Sequence, residues 1–171
     1  MGEDKLFQIC YEGDLTVEVC NALQRLRAEP NFDQSWRFLA PASRHAALLT
    51  RYLRFRIGGD ARLLVAQAQF NRDRDYLLVR HSTTSGSDYT ELHRAMDRIG
   101  TVLDLPFEST FVIQTEDKTD ARLLGEGLGE LCPDDSLMVM GVGSDFAWCS
   151  AVERRTFASS LEIPWSAIEI A

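Results

Sequence analysis

His81 closes the apolar run Tyr76-Leu77-Leu78-Val79-Arg80-His81. An imidazole titrates near neutrality, so His81 could give or take a proton at physiological pH. Acid–base work needs a partner, and no Ser/His/Asp or Cys/His set can be argued from spacing in this chain. The plainer reading is a surface histidine at the end of a strand. Arg44, Arg51, Arg54, Arg56 and Arg62 form a second constellation, and Arg44, Arg51 and Arg54 could share one helix face. Such arginines could touch phosphates or acidic protein surface. With Arg80 and His81 they are the candidate nucleic-acid or partner-binding residues.

Other residue types that often carry chemistry read more plainly. Gly125-Glu126-Gly127-Leu128-Gly129 lies inside a helical pattern and not between a strand and a helix, so it fails as a dinucleotide fingerprint. Gly141-Val142-Gly143 follows a strand and reads as a turn or bulge. Cys10, Cys20, Cys132 and Cys149 make no C-x-x-C pair and no metal-ligand spacing with His45, His81 or His93. They read as reduced, mostly buried thiols. No catalytic residue, metal or cofactor is expected.

The elements that must position these residues come in two similar runs. Leu6–Tyr11 is rich in β-favouring side chains. Asp14 is a candidate N-cap for a helix with Leu15, Val19, Ala22, Leu23 and Leu26 on one face, ended by Pro30. Ser35–Ala40 is a strand, paired with a short extended piece around Asn31-Phe32. Ser43 is expected to cap a helix with Leu49, Tyr52, Leu53 and Ile57 inside, closed by Gly58-Gly59-Asp60; Arg62–Phe70 follows as a strand. Asn71–Asp75 is a charged junction.

The second run has a strand over Tyr76–Ser82 and a polar loop over 83–87. Its helix carries Tyr89, Leu92, Met96 and Ile99 and ends at Gly100. A hairpin of Thr101–Leu105 and Ser109–Gln114 comes next. Asp117 is a candidate cap for the helix bearing Leu123, Leu124, Leu128 and Leu131, and Leu137–Val142 is the closing strand. Asp145–Ser150 reads as one more strand. The apolar tail, with Leu161, Ile163, Trp165, Ile168 and Ile170, is expected to dock on the body.

Ser35–Gln69 and Ser109–Gly143 overlay without a gap at an offset of 74, sharing Ala47/Ala121, Leu49/Leu123, Leu63/Leu137 and Val65/Val139 among six identities. The order β-α-β-β-α-β is that of the split βαβ, ferredoxin-like unit. The expected fold is therefore α+β, with tandem ferredoxin-like units forming a pseudo-dimer of antiparallel sheets. Residues 1–72 would be a degenerate first repeat, 73–150 the second and 151–171 a C-terminal extension.

Composition narrows the class. The chain has 171 residues, 45% hydrophobic and 26% charged, enough for a sizeable core. Neither a membrane-length apolar run nor a secretory leader is read, so a cytoplasmic protein is expected. The net charge of −8 is uneven. Residues 1–74 hold eleven Lys and Arg against nine Asp and Glu, whereas residues 75–150 hold five against fourteen. Phosphate affinity rests on Lys and Arg, so the whole chain is a poor match for nucleic acid, and the arginines read better as protein-facing.

Residues 75–150 carry a resemblance, through Tyr76–Ser82, Asp88-Tyr89-Thr90-Glu91-Leu92, Glu108–Val112 and Asp134–Val139. They resemble the SinR-like group and, beyond it, the small CRISPR-associated nucleases of the spacer-adaptation complex. That resemblance implies a ferredoxin-like fold, dimeric pairing and, in some members, metal-dependent nucleic-acid cleavage using an Asp after a Tyr at the end of the first strand. Here the matching positions are Arg80 and His81, and the first run has Cys10-Tyr11. A divalent metal positioning a water needs oxygen ligands. The expectation is a non-catalytic, protein-binding or self-associating module on this scaffold. The alternatives are a nucleic-acid-binding protein or divergent nuclease, and a small-ligand regulatory domain.

Overall fold

The computed structural model describes residues 2–58, 62–69, 74–82, 88–116, 118–150, 155–158 and 168–169. The chain is α+β, with antiparallel pairing throughout the strand ladders described. It divides into two compact units: unit 1 is Met1–Ala68 with Ser144–Ala171, and unit 2 is Gln69–Gly143.

Unit 1 runs β1 (Lys5–Glu12), α1 (Val17–Arg25), β2 (Glu29–Phe32), β3 (Ser35–Ala40), α2 (Ala46–Ile57) and β4 (Arg62–Ala68). Its sheet order is β2-β3-β1-β4. Phe7, Ile9 and Tyr11 of β1 alternate onto the face covered by the helices, as the period of a strand requires. Val19, Ala22 and Leu23 of α1 and Leu49 and Leu53 of α2 pack there with Leu63 and Val65. Full burial of a side chain such as Leu53 is worth about 1.5–3 kcal/mol relative to exposure.

Unit 2 runs β5 (Tyr76–His81), α3 (Thr90–Ile99), β6 (Thr101–Val102), β7 (Thr110–Gln114), α4 (Ala121–Gly129) and the first half of β8 (Leu137–Cys149). Its sheet order is β8-β5-β7-β6. Leu77 and Val79 meet Leu92, Met96, Ile113 and Leu128 on the helix side. The opposite face is also buried in each unit, through Gln8, Cys10, Leu64 and Ala66 in unit 1 and Leu78, Arg80, Val112 and Val142 in unit 2.

The two units share their register. Phe7 pairs with Phe38 and Ile9 with Trp36, while Leu77 pairs with Ile113 and Val79 with Phe111. Ile9 also pairs with Val65, and Val79 with Val139. Yet the spacing is not a constant 74. Phe38 and Ile113, Leu49 and Leu124, and Leu53 and Leu128 lie 75 residues apart, whereas Leu63/Leu137 and Val65/Val139 keep 74. One residue is lost in unit 2 between the buried helix leucine and the closing strand: Leu128 stands nine positions before Leu137, whereas Leu53 stands ten before Leu63. Leu49 and Leu123 are therefore not equivalent: Leu49 is 7% exposed and Leu123 is 53% exposed.

Several local expectations are corrected. Thr16, not Asp14, caps α1, accepting the Val19 N–H at 3.3 Å. Asp14 instead accepts the Tyr11 hydroxyl through its carbonyl, at 2.8 Å. The helix ends at Arg25, before Arg27 turns the chain at φ 54°, and Pro30 belongs to β2. Asp120 caps α4, accepting the Arg122 N–H at 2.7 Å; Asp117 lies outside the described residues.

Gly141 and Gly143 are not a turn, because β8 is one strand of 13 residues that absorbs the expected Asp145–Ser150 strand. At Gly141 a Cβ would strike the Gln69 carbonyl oxygen and come within 3.0 Å of the Arg74 side chain, so only hydrogen fits. The domain limits differ accordingly, because residues 144–150 count with unit 1. Of the C-terminal region, β9 (Arg155–Ala158) pairs with β8, and β10 (Ile168–Glu169) with β9. Leu161, Ile163, Trp165 and Ile170, the junction 71–73 and the loop 83–87 lie outside the described residues. Among the described residues no helix is long and apolar enough to cross a membrane.

Candidate functional site

His81 is not a surface histidine. It is 3% exposed, because the alternation of β5 turns it to the helix side with Leu77 and Val79. There its ring stacks on Tyr89, with centroids 3.9 Å apart and planes 23° from parallel, and on Phe111 at 5.9 Å. Exposed His93 meets the edge of Phe111 at 5.1 Å. The His81 Nδ1 lies 3.1 Å from the Ser82 carbonyl oxygen, which also accepts the Tyr89 hydroxyl at 3.0 Å. Strand end and helix start are thereby tied through one carbonyl.

Arg80 alternates to the opposite face. It is 3% exposed, and its Nη1 donates to the Thr110 Oγ1 at 2.5 Å. Arg80 and His81 therefore point to opposite sides of one sheet and form no shared site. In the first unit Tyr11 stands where His81 stands in the second, as the paired registers of Ile9 and Val79 show. Burial, aided by the charge of Asp14, raises the Tyr11 phenol above its ordinary pKa. Both strand-end positions are built into packing.

The other five arginines, all in unit 1, are not brought to one surface. Arg54 is buried and its Nη1 donates to the Ser150 carbonyl at 2.9 Å, so it does not share a face with Arg44 and Arg51. Its spacing fits a common face, but Arg54 is buried beside Leu53 on the inner side of α2 while Arg51 is exposed. Arg62 lies 3.7 Å from Glu12, and the Arg56 guanidinium sits 5.5 Å from the centre of the Tyr52 ring. Arg44 and Arg51 are exposed.

Arg44 lines a groove of about 280 Å³ with Leu26, Leu39, Leu48 and Tyr52. A second groove of about 470 Å³ adjoins it through Leu26, Phe38 and Leu39, and has Arg27, Arg37 and Glu29 at its rim. Sequence reasoning missed this feature, since it needs Leu39 left 64% exposed beyond the stretch of β3 that β2 covers.

Three of the four thiols are buried, as expected, but Cys20 is exposed. Among the described residues no three His, Cys, Asp or Glu side chains converge as a metal site would require. No family model, curated protein or solved structure matches the chain.

Proposed function

We propose that the chain is a non-catalytic, protein-binding or self-associating module built from two ferredoxin-like repeats arranged as a pseudo-dimer. The βαββαβ order of each unit, with its closing strand beside the first strand and the second strand at the far edge, supports the repeat. The observation that carries the functional reading is the stacking of His81 on Tyr89 and on Phe111 at the strand end where the resembling nucleases place a carboxylate. An imidazole held in an aromatic stack serves packing, and Tyr11 does the same in the other unit. The CRISPR-associated likeness then concerns scaffold alone.

The deciding experiment is a cleavage assay on RNA and DNA with Mg²⁺ or Mn²⁺. Cleavage by highly purified protein that EDTA abolishes would overturn the reading. The second reading, nucleic-acid binding, is favoured by the exposure of Arg44 and Arg51. A binding series in rising salt separates the two, because phosphate contacts weaken steeply with salt. A small-ligand role would use the unit 1 grooves, and a thermal-shift screen addresses it.

A further inference from the structure

Two exposed helix faces, one in each unit, carry apolar side chains flanked by opposite charges. On α2, Leu48 and Phe55 are 45% and 70% exposed, with Arg51 between them on the same side. Residues spaced by three and four positions share a helix face, so these three form one stripe. Arg44 extends its basic edge just ahead of the helix. On α4, Leu123 is 53% exposed, Glu126 and Glu130 follow on its side, and Leu131, 40% exposed, lies just past the helix end.

Gly127 sits between those two leucines, and a Cβ built there would meet nothing within 4 Å. At Gly127 the α4 face therefore leaves open space, with exposed Leu123 four positions before it and exposed Leu131 four after. An aromatic side chain can lie in such a space while two helices approach to the usual ~8–10 Å.

Resting on the protein-binding reading, we propose that α2 of one molecule docks on α4 of a second copy, with Phe55 over Gly127. Charge complementarity selects this occupant: Arg44 and Arg51 face Glu126 and Glu130, although Arg122, 3.7 Å from Glu126, offsets part of the acidic side. Unit 2 as a whole holds seven Lys and Arg against fourteen Asp and Glu, so its surroundings favour a basic partner face. Two helix faces bury less than the roughly 800 Å² per partner of a standard interface, so association is weak and concentration-dependent. The contact is heterologous, so every added copy leaves one face of each kind open and assembly continues past the dimer or closes into a ring.

The test is sedimentation velocity of the full chain over a concentration series at low and high salt. Wild type is expected to associate, more strongly at low salt. Phe55→Glu and Leu123→Glu are each expected to weaken association about tenfold or more. Both residues are exposed, and circular dichroism checks each fold. If either variant unfolds, Arg51→Glu and Glu130→Lys replace them.

The decisive arm mixes the two variants, since Phe55→Glu keeps its α4 face and Leu123→Glu its α2 face. The mixture should form a 1:1 dimer that grows no further, while each variant alone stays monomeric. A monomeric wild type, or a mixture no larger than its parts, overturns the contact. Either outcome leaves the non-catalytic reading standing, because that reading falls only to metal-dependent cleavage.

Discussion

Asp145 and Ala46 are 99 positions apart, and the Asp145 Oδ1 accepts the Ala46 backbone N–H at 3.1 Å. The first turn of α2 has no acidic residue, and His45 at its N-cap makes no side-chain hydrogen bond. A carboxylate delivered from β8 fills both roles, satisfying an orphan N–H and facing the positive end of the helix. Its second oxygen lies 3.7 Å from the His45 Nδ1. We expect Asp145→Ala to lose about 0.5–2 kcal/mol in urea unfolding, while Asp145→Asn keeps most of the cap. Equal losses in both variants would show that charge, and not the hydrogen bond, is what matters.

The one-residue shift between the units separates leucines that look alike in sequence. Leu53→Ala and Leu128→Ala should each cost about 2–5 kcal/mol, because both side chains are buried against their sheets. Leu123→Ala should change stability by less than about 0.5 kcal/mol, since the residue is exposed. A large loss at Leu123 would restore the gap-free alignment.

Two glycines should respond oppositely to alanine. At Gly141 the new methyl would meet the Gln69 carbonyl and the Arg74 side chain, and overpacking of this kind costs about 1–3 kcal/mol. At Gly127, a helix position with open space around it, alanine should add roughly 0.5–1 kcal/mol of stability. Thermal melts of the two variants, run side by side, are the check.

The cysteines set an alkaline limit. Burial raises the Cys149 thiol, with Arg54 partly opposing, and burial with nearby Asp135 raises Cys132. The folded chain thus holds protons that the unfolded chain releases. Stability is full below the ordinary thiol value of about 8.5 and falls as pH rises through the raised values. Cys149→Ala should flatten that decline. Separately, a thiol reagent should modify exposed Cys20 rapidly and the other three only as the protein opens.

His81→Asp tests what the strand end is for. A carboxylate among Tyr89 and Phe111 should cost about 1–3 kcal/mol, whereas His81→Phe should keep the stack and most of the stability. No metal-dependent cleavage is expected from the Asp variant. Its appearance would show that one substitution restores chemistry to this position.

What the sequence determined by itself was the order and type of elements as far as the start of β8, which it split at Gly141–Gly143. Strand and helix periods are local properties: Leu77 and Val79 alternate whatever surrounds them, and Leu92 and Met96 recur at helical spacing in any context. The register of the halves was nearly legible too, failing by one residue because a single deletion between Leu128 and Leu137 leaves no mark in a gap-free comparison. Tertiary structure alone decided which candidate residues face water. Arg54 and Arg44 have the same side chain at helical spacing, yet one bonds the Ser150 carbonyl inside the unit and the other lines a groove. His81 reads as exposed until Tyr89 and Phe111 fold over it. Burial and capping depend on residues distant in the chain, as with Asp145 and Ala46. No local pattern carries that information.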